Sequence, residues 1–224
     1  MKPKDLFPPF SWKERYPCIE NSVLYVPKHY FEHECFSETL WNEIFENEQP
    51  LACELCSGNG DWIVAQAKEN PQVNWIAVEQ RFDRVRKIWS KMANSQISNL
   101  KIVHGTAENF FQYYVPPNTL SYVVVNFPDP WPKKRHHKRR LFQEDFVESL
   151  VKVMQDKAVL VLATDEKSYL EEAIQSLRKS LDPVLPEPYY CEKQENYGGS
   201  WFENLWRSKG FSIFYTEFIK NNGI

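Results

Sequence analysis

Between Pro50 and Leu181, short apolar runs alternate with stretches of helical periodicity, and that alternation restricts the chain to few folds. Leu51–Leu55 reads as a first strand, Cys56–Gly60 as a tight turn and Asp61–Glu69 as a helix with an acid in its first turn. Asn74–Val78 is a second strand ending in Glu79, and Arg81–Asn94 a second helix, because Phe82, Val85, Ile88, Trp89 and Met92 share a face. Leu100–Val103 and Leu120–Phe127 are the next strands. A helix over Leu141–Met154, a strand over Ala158–Thr164 and a helix over Glu166–Leu181 follow. Strands joined by helices of this length lie parallel, with right-handed crossovers and helices on both faces. Past the break at Pro183–Pro188, Gly198–Glu203 reads as a loop and Phe211–Ile219 as a terminal strand. The expectation is an α/β, doubly wound, seven-stranded and mostly parallel sheet with an antiparallel C-terminal edge formed by a final hairpin.

Residues 1–49 form an N-terminal extension expected to pack on this core, and residues 50–224 the main domain. The extension reads as irregular and aromatic-rich, with Phe7, Phe10, Trp12, Tyr16, Tyr25, Tyr30 and Phe31, until a helix over Ser37–Asn47. Core packing explains these rings better than stacking on bases. No run approaches the roughly 18 consecutive apolar residues that span a bilayer, and no apolar signal core follows the N-terminus, so a cytoplasmic protein is expected. Five cysteines suit reduced thiols better than a disulfide framework, and Cys53-x-x-Cys56 lacks the second ligand pair a metal site requires. No metal is expected.

Open parallel sheets bind ligands outside the carboxyl ends of their strands. At the first strand end stands Glu54-Leu-Cys-Ser-Gly58-Asn-Gly60, an acid followed by G-x-G, without the third glycine of the dinucleotide fingerprint. Gly58 and Gly60 let backbone approach a ligand closely. Glu54 and Asp61 around that turn would repel a pyrophosphate and suit a cationic amino group. Glu79, at the tip of the second strand, occupies the position from which an acid accepts hydrogen bonds from ribose hydroxyls. Together these acids describe S-adenosyl-L-methionine better than a dinucleotide. Thr106, after the third strand, either supplies a hydroxyl beside an adenine or caps a short following helix.

The fourth strand runs into Asn126-Phe-Pro-Asp-Pro-Trp-Pro-Lys-Lys-Arg-His-His-Lys-Arg-Arg140. Pro128, Pro130 and Pro132 end the strand and hold an extended loop that presents Asp129 and Trp131. Lys133–Arg140 then holds six Lys or Arg and two His; the whole chain carries −3, so the remainder carries −3 − 6 = −9. A cationic patch on an otherwise acidic chain points to a polyanion met at one place, and nucleic acid is the commonest. Arg135, His136, Lys138, Arg139 and Arg140 are the candidate phosphate contacts. A solvated charge run is the plainer alternative.

The string Phe127-Pro-Asp129-Pro-Trp-x-Lys133-x-Arg135-His136-x-Lys138-Arg139-Arg140, with Glu54-x-x-x-Gly58-x-Gly60 upstream, resembles the bacterial tRNA (guanine-N7)-methyltransferase family from about Pro50 to the C-terminus. The resemblance implies a Rossmann-like class I methyltransferase fold and methylation of guanine 46 in the variable loop of tRNA. It implies that Glu54, Glu79, Thr106 and Asp129 contact S-adenosylmethionine and that Lys133 and Asp165 contact tRNA. Ser200-Trp-Phe-Glu203 is similar to the family's T-x-F-E element, which adds Ser200 and Glu203 to the substrate side. Thr106 stands where the family often has Asp or Asn, and Ser200 where it has Thr. From spacing alone, Asp165 reads as a helix cap and Glu203 as an ordinary loop acid. Asp129 is the candidate catalytic carboxylate, able to accept from a guanine N–H and to stabilise the cationic methylated purine. A non-catalytic RNA-binding protein using only the basic arm is the alternative, and monomer and homodimer both stay open.

Overall fold

A computed structural model describes residues 1–11, 13–27, 33, 41–194, 197 and 199–221, apart from the side chains of Trp201 and Phe202. Trp12, Tyr30, Phe31, Cys35, Gly198 and the first four residues of the expected Ser37–Asn47 helix lie outside the described residues. The chain forms two compact units that divide between Pro116 and Pro117.

The first unit holds β1 (Cys18–Glu20), β2 (Val23–Tyr25), α1 (Trp41–Phe45), β3 (Leu51–Leu55), α2 (Asp61–Glu69), β4 (Asn74–Glu79), α3 (Phe82–Asn94), β5 (Leu100–His104) and α4 (Ala107–Tyr113). Its strands run in the order β1-β2-β5-β4-β3. β3 pairs with β4, β4 with β5, and β5 with β2, all parallel. Every residue of β3 and β4 is buried, as expected of parallel strands covered on both faces. α3 buries Val85, Ile88, Trp89 and Met92, the stripe its spacing predicts.

The irregular N-terminal segment expected from sequence contains a hairpin instead. β1 and β2 pair antiparallel across the two-residue turn Asn21-Ser22, both with positive φ (52° and 63°), the geometry that matches the twist of flanking strands. Asparagine tolerates this conformation but serine rarely signals it, so the turn is faint in sequence.

The second unit holds β6 (Leu120–Asn126), α5 (Glu144–Val153), β7 (Met154–Thr164), α6 (Lys167–Leu177), β8 (Asp182–Pro183), α7 (Trp201–Ser208) and β9 (Phe214–Ile219), in strand order β6-β7-β9-β8. β6 and β7 are parallel, whereas β9 runs antiparallel to β7 and to β8, giving the expected antiparallel C-terminal edge. Lys220 fixes the end of that edge, its Nζ donating to the Val151 and Met154 carbonyls at 2.8 and 2.7 Å where α5 ends.

The described residues carry nine strands rather than seven: the N-terminal hairpin supplies two that the sequence reading lacked. β7 starts at Met154, not Ala158: Met154 is buried and pairs with Leu120, and the exposed Gln155, Asp156 and left-handed Lys157 (φ 62°) form an irregular step before the buried strand resumes. Gly198–Glu203 is not all loop, since α7 begins at Trp201 under a Ser200 cap. No helix among the described residues is long and apolar enough to cross a membrane.

Candidate active site

The turn between β3 and α2 is built around Glu79. Cys56, Gly58 and Gly60 all take left-handed φ (62°, 56° and 77°), coiling the chain tightly at the strand end. Ser57 ties the coil down: its N–H donates to the Val78 carbonyl at 3.2 Å and its hydroxyl to the Glu54 carbonyl at 3.0 Å. The Gly58 N–H donates to Glu79 Oε2 at 2.9 Å and the Arg81 N–H to Oε1 at 2.8 Å, with the Arg84 guanidinium 3.6 Å away. Burial pushes the Glu79 carboxyl up from its ordinary value of 4.5, against the pull of the Arg81 N–H, Arg84 and the Gly58 N–H. A carboxylate offers about four lone-pair positions, so some acceptor capacity remains after the two backbone donors and the Arg84 side chain are served. That arrangement fits a ligand bringing hydroxyl donors.

Gly60 has a different duty. A Cβ there would sit 2.7 Å from Ile88 Cγ1, so its bareness lets α2 and α3 approach. Glu54 is buried (1% exposed) in β3, an environment where a carboxylate profits from a cationic partner. Asp61, counted above among the acids facing the turn, is held at 2.6 Å by Lys91, which also donates to the Asn59 carbonyl at 2.8 Å. Its charge is largely answered within the protein, leaving Glu54 and Glu79 to set the polarity of the turn.

Thr106 follows β5, and its Oγ1 accepts from the Asn109 N–H at 3.3 Å, capping α4. The cap uses an acceptor lone pair and leaves the hydroxyl proton to donate. Beside Thr106 opens a cavity of about 510 Å³, walled by strand-end residues including Tyr25, Gln80, His104 and Gly105, together with Phe82 and the N-terminal Phe10 and Arg15. Burial holds the His104 imidazole below its ordinary range, against the Gln80 backbone contact that raises it.

In the second unit Asp129 is exposed on the proline-framed loop, and Phe127 and Trp131 flanking it are left-handed (φ 47° and 44°), so the loop turns rather than running straight. Lys134–Arg139 forms a short 3₁₀ helix. Lys133, Lys134, Arg135, Lys138 and Arg139 are exposed, and Arg139 lies 5.0 Å over the Trp131 ring. Arg140 differs: it is 4% exposed, pairs with Glu172 at 2.6 Å, donates to the Pro130 carbonyl at 2.9 Å and lies over Tyr169. His137 meets the same Glu172 at 3.1 Å. Arg140 therefore pins the arm while its neighbours face solvent.

Asp165 is half-buried after β7, and burial with Glu166 alongside raises its carboxyl above the ordinary range despite its own backbone N–H. It does not cap α6; Glu166 does, accepting from the Ser168 N–H at 3.3 Å. Ser200 accepts from the Glu203 N–H at 3.0 Å, and Glu203 Oε1 takes the Tyr215 hydroxyl at 2.7 Å and Arg207 Nε at 2.9 Å. Tyr197 meets the Tyr215 ring edge-on at 4.9 Å and donates to the Asn126 side chain. Glu172, Tyr197, Arg207 and Tyr215 carry no sequence signal for these roles, because nothing in their spacing marks the partner each one meets in the fold. Among the described residues no cluster of His, Cys, Asp and Glu could hold a metal ion.

Comparison with known proteins gives this geometry a lineage. A family described as a putative methyltransferase matches residues 48–216. A tRNA (guanine-N(7)-)-methyltransferase of Chlamydia pneumoniae is 64% identical over 224 residues, all of both chains, and one of Chlamydia felis is 59% identical over 100% of this chain and 99% of its own. A Leptospira interrogans protein of the same name is 33% identical over 181 residues, 80% of this chain and 82% of its own. Among solved structures, the 16S rRNA methyltransferase KamB superposes with a TM-score of 0.61 at 14% identity, covering 81% of this chain and 93% of its own, a likeness of fold. With a full-length match of this depth and a strand-end acid set for a nucleoside, the chain belongs to the tRNA (guanine-N7)-methyltransferase family.

Proposed function

We propose that this protein transfers a methyl group from S-adenosylmethionine to N7 of guanine 46 in tRNA, as a cytoplasmic enzyme whose residues 1–49 extend a catalytic domain spanning 50–224. The observation that carries this reading is the 64% identity, over the whole of both chains, with a relative of that name.

When bound, S-adenosylmethionine supplies an electrophilic methyl group on a cationic sulfur. On the protein side, Glu79 would accept from the ribose hydroxyls, its carboxylate held in place by the Gly58 and Arg81 N–H groups. Glu54 answers the amino group, Thr106 meets the adenine edge, and Gly58 and Gly60 shape the turn. Guanine N7 is an unprotonated lone pair, so no base is needed to strip a proton from it. What remains is alignment and charge. Orienting two bound reactants supplies a large part of such an acceleration, and a fixed carboxylate stabilises the positive charge that develops on the purine. Asp129 has that role, accepting from a guanine N–H.

Lys133, Arg135, His136, Lys138 and Arg139 take phosphates, with Arg140 anchoring the arm. Asp165, Ser200 and Glu203 complete the substrate side, Ser200 and Glu203 as parts of the α7 cap. The decisive test is transfer of tritiated methyl from S-adenosylmethionine to bulk tRNA, followed by base analysis. Labelled N7-methylguanine is the expected product; RNA binding without transfer would leave only a binding protein, and label in small molecules alone would sink the tRNA assignment.

A further inference from the structure

The cavity beside Thr106 has walls of two origins. One is expected of any strand-end site: Tyr25, His104 and Thr106 at the ends of β2 and β5, and Phe82 at the start of α3. The other comes from the far end of the chain, where Pro8, Phe10 and Arg15 close the outer side. A segment so near a terminus needs an anchor to act as a wall, and one is present. Leu6 is buried, and its carbonyl accepts from Arg86 Nε at 2.9 Å. The Arg86 guanidinium stands 5.5 Å from the Phe7 ring and 4.8 Å from the Phe82 ring. Further back, the Met1 carbonyl accepts from Ser90 Oγ at 2.8 Å and Asn94 Nδ2 at 2.9 Å, so the segment is fastened along α3. At the front, the Tyr25 hydroxyl donates to the Phe7 carbonyl at 3.3 Å, and Phe10 packs edge-on to Tyr25 at 5.7 Å.

We infer that Pro8, Phe10 and Arg15, strapped to α3 through the hold of Arg86 on Leu6 and Phe7, are the outer wall of the cofactor's purine pocket and position S-adenosylmethionine by enclosing its base. This rests on the reading that the strand-end acids hold that cofactor. Three features favour a purine there. The rings of Phe10, Tyr25, Phe82 and His104 surround a cavity within the 300–1,000 Å³ range of small-molecule sites. Thr106 retains a hydroxyl proton at its edge. Burial disfavours the protonated form of His104, so its ring offers a face that suits a flat heterocycle. Phe10 and Arg86 are positioning residues on this reading, since neither meets the reacting atoms.

Titration calorimetry on the full chain tests it with two probes, S-adenosylhomocysteine and adenosine. Phe10→Ala and Arg86→Ala are expected to weaken both probes by a similar factor of about ten, the worth of one aromatic contact to a base. Turnover at saturating cofactor should fall far less, and Phe10→Tyr, which restores the ring, should restore affinity. Circular dichroism and Phe10→Leu, which keeps apolar bulk without a ring, separate this from unfolding: a folded Phe10→Leu chain should still bind weakly. Unchanged affinity in both alanine variants would overturn the wall while leaving the cofactor reading standing, provided Glu79→Gln weakens binding. A raised KM for tRNA with unchanged cofactor affinity would overturn it in favour of an RNA contact. Failure of the wild-type chain to bind S-adenosylhomocysteine would sink both readings together.

Discussion

Single residues here do double duty, and Glu79 shows it best. The same carboxylate that closes the turn through Gly58 and Arg81 is the one proposed to meet a ribose, so on that proposal its protonation state touches both folding and binding. Its native pKa lies above the ordinary 4.5 because of burial. Between 4.5 and that raised value the native chain holds a proton the unfolded chain has released, so this group's contribution to stability is full below the window and is lost as pH rises through it. Cofactor affinity should move the other way. Hydroxyl donors favour the charged carboxylate, so affinity should weaken as pH falls through the native pKa, with proton release by the protein on binding measurable as a buffer-dependent calorimetric heat. Glu79→Gln should flatten that dependence. Asp129 is the contrasting case, exposed and outside the core, so Asp129→Asn should leave thermal stability within about 0.5 kcal/mol of wild type. Single-turnover methyl transfer should nevertheless slow by about a hundredfold, the scale of one lost preorganised electrostatic contact. A normal transfer rate with poor tRNA affinity would make it a docking residue. The places of Glu79 at a strand end and of Asp129 on an exposed loop were legible because strand ends and proline punctuation mark them. The anchoring role of Arg140 was not, because sequence shows six similar cations and hides Glu172, which lies more than thirty residues away.

At the scale of elements, the basic arm divides its labour. Its exposed cations should release counterions on binding RNA, so neutralising Arg135, Lys138 and Arg139 together should weaken tRNA binding and flatten its dependence on salt, with cofactor affinity unchanged. An unaltered slope would return the arm to a solvated charge run. Arg140→Ala should behave differently, costing about 1–2 kcal/mol of stability through the lost Glu172 and Tyr169 contacts, as chemical denaturation would show. Its salt slope should stay near that of wild type. The helices and strands of the βα alternation were legible to within a few residues, since periodicity and breakers agree there. α7 was missed because Gly198-Gly199 reads as loop and its helix start depends on a serine cap, a signal too common to stand alone.

At the scale of the molecule, the alternation from Pro50 onward announced an α/β chain, and what it could not announce was the pairing of distant segments. The parallel match of Val23–Tyr25 with Ile102–His104 joins stretches nearly eighty residues apart, and no local pattern encodes it. That pairing occupies the β5 ladder with a strand from the extension, and the two-residue Asn21-Ser22 turn folds β1 over as the last strand of the row. Ser22 is the strained member, with φ of 63°, and Ser22→Gly should raise stability by about 0.5–1 kcal/mol in denaturant titration. The larger consequence is colloidal. Val23, Leu24 and Tyr25 are all buried, so if the hairpin peeled away the chain would expose an apolar strand and an open row of backbone donors and acceptors on β5 at the same moment. A three-residue strand thus stands guard against edge-to-edge aggregation, and nascent chains must place it before β5 meets another copy.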